Sequence, residues 1–292
     1  MRFPGAMLCL LFALTAGNAL GQLPPLSQDQ IRALIRQSAE KDIENDRAQR
    51  NYTYVQRAEE RKFSGSGQAQ SSETRTFEIM VLFEEPVRKL IAKNDKPLPP
   101  KDAAKEEEKI QKIIDERRSE DEGKRRKRLE RQAKDADEAH QFVNEIADAY
   151  DFRLIALEAV SGHQAYVIDG EPRRGYEPKH KDAKFLPKFR FRAWIDQATR
   201  QWLKLDIQCI DTVSVGLFLV RLHKGSSIQI EQTEVNDEVW LPKHVLLTLD
   251  ARIALFKGIN MQEDVTYRDY RKFHTESKII PGGEVQEQRP TR

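Results

Sequence analysis

The chain has 292 residues, 39% of them hydrophobic, which is enough to bury a sizeable core in one large domain or two small ones. Its 49 Lys and Arg against 47 Asp and Glu leave a net charge of +2, so no strong global field draws in nucleic acid, and the composition excludes collagen and mucin. The two cysteines, Cys9 and Cys209, cannot build a disulfide framework.

Arg2 precedes an apolar stretch over 6–16, and Ala19 and Gly21 follow at the spacing a signal peptidase reads. This pattern predicts a cleavable signal peptide over 1–21 and a mature start at Gln22. The apolar stretch is shorter than the roughly 20 residues a membrane helix needs. Cleavage would remove Cys9 and leave Cys209 as the single thiol.

Ser27 stands where an N-cap belongs, ahead of Ile31, Leu34, Ile35, Ala39 and Ile43, which share one face of an amphipathic helix over 28–47. A strand-like run over 52–63, a Ser64-Gly65-Ser66-Gly67 turn and a return over 74–83 read as a hairpin, and a third run covers 87–93. Residues 101–140 then hold 13 basic and 13 acidic side chains. Ala103, Ile110, Ile113 and Ile114 give this charged segment one narrow helical face, but 115–128 contains no apolar residue and must be solvated. Leu129, Ala133, Ala136, Val143 and Ile146 resume the face, predicting two helices hinged near 119–124, where Gly123 weakens the helix.

From Asp151 the period becomes two. Phe152, Leu154 and Ala156 alternate, Ser161-Gly162 turns, and Ala165 and Val167 face away from Tyr166 and Ile168. After a polar loop over 170–187, Phe189, Phe191, Ala193 and Ile195 lie on one side and Arg190, Arg192, Trp194 and Asp196 on the other. Asp196 suits a turn in which it accepts backbone N–H groups, and Leu203, Leu205, Ile207 and Cys209 return on one face. Further strands are predicted over 226–235, 239–255 and 261–273, with a disordered tail over 276–292. Strands that follow one another through short turns predict an α+β class, an antiparallel meander in a single domain over 22–275 with a helical insertion at about 101–150.

The chain contains no H-E-x-x-H, C-x-x-C, G-x-S-x-G, Walker loop or strand-to-helix G-x-G-x-x-G. Its six histidines are scattered, and Cys209 falls on an apolar strand face as an inert thiol would. The expectation is therefore a non-enzyme with no catalytic residue, metal or cofactor. Lys124-Arg125-Arg126-Lys127-Arg128 reads as a solvated helix face or a weak contact for anionic lipid headgroups at a membrane surface, since export argues against nucleic acid. Residues 213–222 are apolar on both faces, as in a buried strand or a loop that enters a lipid surface.

The run Trp194-Ile195-Asp196-Gln197-Ala198-Thr199-Arg200-Gln201-Trp202-Leu203-Lys204 is similar to the strand–turn–strand of the LolA/LolB/RseB-like superfamily of bacterial periplasmic lipoprotein carriers and sensors. Val235-Asn236-Asp237-Glu238-Val239-Trp240-Leu241-Pro242 resembles that family's later hairpin, and the order of elements extends the likeness over most of 28–275. The resemblance implies a periplasmic protein with a curved half-barrel sheet, its concave face holding lipid chains beneath helices. The charged helices depart from the compact carriers, and no residue here aligns with the carrier's functional arginine. The implied ligand is a lipid or an acylated lipoprotein, held by Ile31, Leu34, Ile35, Phe189, Phe191, Ile195, Leu203, Leu205, Ile207 and Phe218. The alternative is an envelope sensor or interaction protein that works through its charged helices.

Overall fold

A computed structural model of the chain describes residues 26–83, 85–179, 183–215, 220–253 and 257–273. The expected signal peptide, the expected tail and Phe218 lie outside the described residues. Helix α1 (Gln28–Gln49) starts at a reciprocal cap: the Ser27 hydroxyl accepts the Gln30 N–H at 3.2 Å, and the Gln30 side chain accepts the Ser27 N–H at 2.7 Å. Ile31, Leu34, Ile35 and Ser38 are its buried face.

Four strands follow, β1 (Tyr52–Phe63), β2 (Ala69–Leu82), β3 (Glu85–Lys93) and the two-residue β4 (Lys96–Pro97). Two helices, α2 (Pro100–Arg118) and α3 (Glu122–Ala149), meet at Ser119–Asp121, inside the predicted hinge. Strands β5 (Tyr150–Val160) and β6 (His163–Pro172) precede a short 3-10 helix (Ala183–Lys188) within the predicted polar loop. The chain ends with β7 (Phe189–Asp196), β8 (Trp202–Cys209), β9 (Val213–Val215), β10 (Val220–Leu222), β11 (Ser227–Val235), β12 (Val239–Ile253) and β13 (Lys257–Lys272).

All strand pairs are antiparallel, in the order β4-β3-β2-β1-β13-β12-β11-β8-β7-β6-β5, with the β9–β10 hairpin attached to β12. The sheet is open, with β4 and β5 as its two edges. This is the α+β class expected, an antiparallel sheet with α1 against it, and the order assigns the charged helices a structural task. They carry the chain from one edge of the sheet to the other, after which the strands walk back until β13 pairs with β1. A crossover of this kind needs length rather than a second apolar face. At 1.5 Å per residue α3 alone reaches roughly 42 Å.

The largest core cluster joins Ile31, Leu34 and Ile35 of α1 to Tyr150, Phe152, Ile168, Ala193 and Ile195 of the sheet, closed by Ala183 and Leu186 of the 3-10 helix. A smaller one packs Ile110 and Ile114 of α2 on Leu82, Met80 and Val87. Several hairpins use the positive-φ pairs their tight turns demand: Ser161-Gly162 at φ 50° and 88°, and Asn94-Asp95 at 49° and 57°.

At the β7–β8 turn, Asp196 accepts both the Thr199 N–H at 3.0 Å and its hydroxyl at 2.6 Å. Burial pushes the Asp196 carboxyl up, but the donors from Thr199 and Ala198 and the nearby His163 outweigh it and hold the group below the ordinary carboxylate range. A carboxyl lowered on folding contributes stability that is present above its unfolded pKa and lost as pH falls through the folded value. Asp196→Asn should therefore cost on the order of 1–2 kcal/mol at neutral pH. The gap in urea midpoint between variant and wild type should close below about pH 4.

Candidate functional site

Between the sheet and its helices lies a cavity of about 500 Å³, within the roughly 300–1,000 Å³ span of ligand pockets. Its floor is Phe189, Phe191, Ala193 and Ile195 of β7, Trp202, Leu205 and Ile207 of β8, and Ile228 and Ile230 of β11. Strand register aligns these as rows: Phe191 opposite Ile207 opposite Ile228, and Ala193 opposite Leu205 opposite Ile230. Past the cavity the first row continues onto Leu247 of β12 and then meets Glu263 of β13 and Glu60 of β1, while the second stays apolar through Val245, Val265 and Ala58. The roof is Ile35, Ser38, Ala39 and Asp42 of α1 with Phe142 and Ile146 of α3, and Tyr150 and Leu186 close one end.

Polar ties hold the roof. Gln28 donates to the Phe152 carbonyl at 2.6 Å, and Arg36 of α1 pairs with Asp148 of α3 at 3.0 Å. Glu145, buried on α3, accepts the Tyr176 hydroxyl at 2.7 Å and the Lys179 N–H, fixing the last turns of that helix. The Tyr150 hydroxyl donates to the Leu186 carbonyl at 2.8 Å, and burial pushes its pKa up.

A chain of amides runs beneath the carboxyl-terminal half of α1. The Trp240 N–H donates to Asn45, Asn45 to Gln201 at 2.8 Å, Gln201 to Gln232 at 2.7 Å, and Gln232 to Asp42 at 3.1 Å. Asp42 is thus the one carboxylate in the lining among the described residues, and burial raises its pKa against the hydrogen bonds from Trp202 and Gln232.

Of the residues named from sequence, Ile35, Phe189, Phe191, Ile195, Leu205 and Ile207 line the cavity. Ile31, one turn before Ile35, and Leu34, the residue before it, sit in the closed core beside the cavity. Leu203 is a correction. The pairing steps from Trp194–Lys204 to Ile195–Trp202, leaving Leu203 as the extra residue of a β-bulge. It therefore faces the other side of the sheet, packing with Ala165, Trp194 and Trp240, and Trp202 takes its place in the lining. The sequence reading missed Ile228 and Ile230, whose alternation was visible, and Phe142 and Ile146, an i,i+4 pair at the end of a charged helix.

Elsewhere the chemistry is quiet. Among the described residues no three His, Cys, Asp or Glu side chains gather as a metal site requires. Cys209 is buried with its Sγ 3.0 Å from the Asp211 carbonyl, and burial pushes the thiol up, away from nucleophile range. The charged helices neutralise part of their own charge: Arg128 pairs with Glu120 at 3.0 Å and Glu85 at 3.4 Å, and Arg117 pairs with Glu85. No helix among the described residues is long and apolar enough to cross a membrane.

An open antiparallel sheet roofed by helices over an apolar cavity is the architecture that the sequence resemblance implies. No protein-family model matches the chain, and no curated protein matches it. Among solved structures it is similar to an outer membrane lipoprotein-sorting protein domain from Vibrio parahaemolyticus, at 11% identity over 82% of this chain and 95% of that one, with a TM-score of 0.33. A LolA-superfamily protein from Nitrosomonas europaea is similar at 10% identity over 83% and 93%, TM-score 0.27. The MucA/MucB complex of Pseudomonas aeruginosa is similar at 11% identity over 81% and 93%, TM-score 0.22.

Gly170 lies opposite Phe191 on β6, and a Cβ placed there would come within 2.6 Å of the Phe191 ring. Gly170→Ala should drive that ring toward the cavity and cost about 1–3 kcal/mol, read as a lower urea midpoint.

Proposed function

We propose that the protein is a periplasmic, non-enzymatic binding protein of the bacterial envelope that holds the hydrocarbon of a lipid or an acylated lipoprotein in the cavity between α1, α3 and the sheet. The observation that carries this reading is the lining itself: aromatic and branched aliphatic side chains from three strands and two helices converge on about 500 Å³ of space that none of them fills. Each methylene moved from water into such a space contributes roughly 0.8 kcal/mol, so a twelve-carbon chain gains on the order of 9 kcal/mol before ordering costs. Tight binding then needs no covalent step. The proposed ligand-binding set is Ile35, Phe189, Phe191, Ile195, Leu205 and Ile207, joined by Trp202, Ile228, Ile230, Phe142 and Ile146.

A second reading, an interaction surface on the charged helices, rests on the open groove lined by Lys124, Lys127 and Arg131 beside the Glu85–Arg117–Arg128 network. Reversing the charge of Lys124, Lys127 and Arg131 together would test it without removing the crossover, and loss of partner capture with retained cavity binding would favour it.

The cavity reading is tested by native mass spectrometry of the protein taken from its own cells, and by uptake of N-phenyl-1-naphthylamine, an uncharged apolar fluorophore. Bound lipid and saturable dye fluorescence are expected. Ile230→Trp, which fills the floor, should weaken dye uptake at least tenfold while the circular dichroism spectrum stays unchanged. A protein that is empty and takes up no dye would overturn the reading.

A further inference from the structure

The apolar lining is interrupted at one place, on consecutive turns of α1. Ser38 and Asp42 are four residues apart, so they share the helix face that roofs the cavity. Ser38 is 3% exposed, and its hydroxyl is buried with no hydrogen-bond partner among the described residues. A buried hydroxyl left unpaired costs about 1–3 kcal/mol, so such a group asks for a partner.

Asp42 has the complementary property. Gln232 and the Trp202 indole donate to it, yet a carboxylate accepts about four hydrogen bonds. No Lys, Arg or His pairs with it among the described residues, and its charged neighbour on the next turn is another acid, Asp46. The amide chain from Trp240 through Asn45, Gln201 and Gln232 ends on this carboxylate and fixes its orientation from behind. An exposed surface acid would need no such support.

Resting on the carrier reading above, we infer that Ser38 and Asp42 form a head-group site, selecting amphiphiles whose polar end donates hydrogen bonds without negative charge: an amide, a hydroxyl or an ammonium. The hydrocarbon then runs along the rows of β7, β8 and β11. A free fatty acid places a carboxylate against Asp42 and is rejected by like charge, which in a water-poor site is stronger than at the surface.

The test uses a near-isosteric pair, dodecanamide and dodecanoate, each displacing N-phenyl-1-naphthylamine from the full mature chain at pH 8 below the aggregation limit. Dodecanamide is expected to compete at a concentration at least tenfold lower than dodecanoate. Asp42→Asn should narrow that ratio to under threefold, chiefly by improving dodecanoate, and Ser38→Ala should narrow it by weakening dodecanamide more than dodecanoate. Equal competition by the two ligands on wild-type protein, with the dye still bound, would overturn the head-group site and leave the cavity reading standing. Absence of dye binding by wild type would remove the cavity reading itself. Should Asp42→Asn lose its fold by circular dichroism, the Ser38→Ala ratio decides: an unchanged ratio counts against the site.

Discussion

The interaction on which the rest of this molecule depends is the suspension of two helices over an apolar sheet face that they do not fill. Protein interiors are close-packed, and a void of this size forfeits dispersion contacts on every wall. Something must keep the roof from settling. The fixed points are polar and sit around the space: Gln28 on the Phe152 carbonyl, Asn45 on Gln201 and the Trp240 backbone, Gln232 on Asp42, and Glu145 on the loop at Tyr176 and Lys179. Each ties a helix to the sheet or to the loop beside it, and each would have to lengthen if the helix sank. The geometry of the cavity is thus set by its rim, and the floor is free to stay apolar throughout.

Topology explains the abrupt change of composition after β4. A chain that builds one edge of a wide open sheet and then starts again at the opposite edge must cross it, and α2 and α3 make that crossing. Their apolar contacts among the described residues lie where α2 rests on β3 through Ile110 and Ile114 and where α3 reaches the core at Phe142, Ile146 and Ala147. The span between them is charged and meets the sheet through polar contacts of Arg117, Arg128 and Gln132 with Glu85. Its internal ion pairs are mostly exposed, so they contribute a fraction of a kcal/mol each and serve solubility more than stability. The same segment, seen without the sheet order, reads as an insertion that could be removed. With the order known, it is the link that lets β1 and β13 pair as neighbours.

Much of this fold was legible because its signals are local. Ser27 announces α1, Ser161-Gly162 announces a turn, and the alternation of Phe189, Phe191, Ala193 and Ile195 gives both the strand and the face that lines the cavity. The reading of β8 failed for an equally local reason. Simple alternation assigns Leu203, Leu205 and Ile207 to one face, and a single bulge residue at Leu203 reverses the parity of everything before it. Nothing in the composition of Trp202-Leu203-Lys204 marks that bulge. Ile146 was seen as part of a helical stripe and Phe142 was not, but the role of both depends on which edge the helix reaches, which is a property of the sheet order. Asp42 and Ser38 were invisible for the opposite reason: polar residues on an amphipathic helix are ordinary until a cavity is found beneath them.

The strengths of these contacts also bear on release. Burial of a hydrocarbon chain gains free energy in proportion to its length, whereas the tie between the two roof helices, Arg36 to Asp148, joins side chains about 40% exposed and contributes no more than about 1 kcal/mol. Parting α1 from α3 at that point is therefore cheap compared with extracting the chain. For the proposed hydrocarbon ligand, the loss of its hydrophobic contacts, and not the opening of the roof, would set the barrier to departure. On the proposed function, such a site would retain its cargo in water and yield it to a surface that offers an apolar environment of its own, a second protein cavity or a bilayer, because that surface replaces the lost burial as the chain leaves. A head-group site on α1 fits this logic. The inferred site would add selectivity at the end of the chain nearest the polar ties while leaving the long apolar part, where most of the affinity would lie, free to slide out along the rows of the sheet.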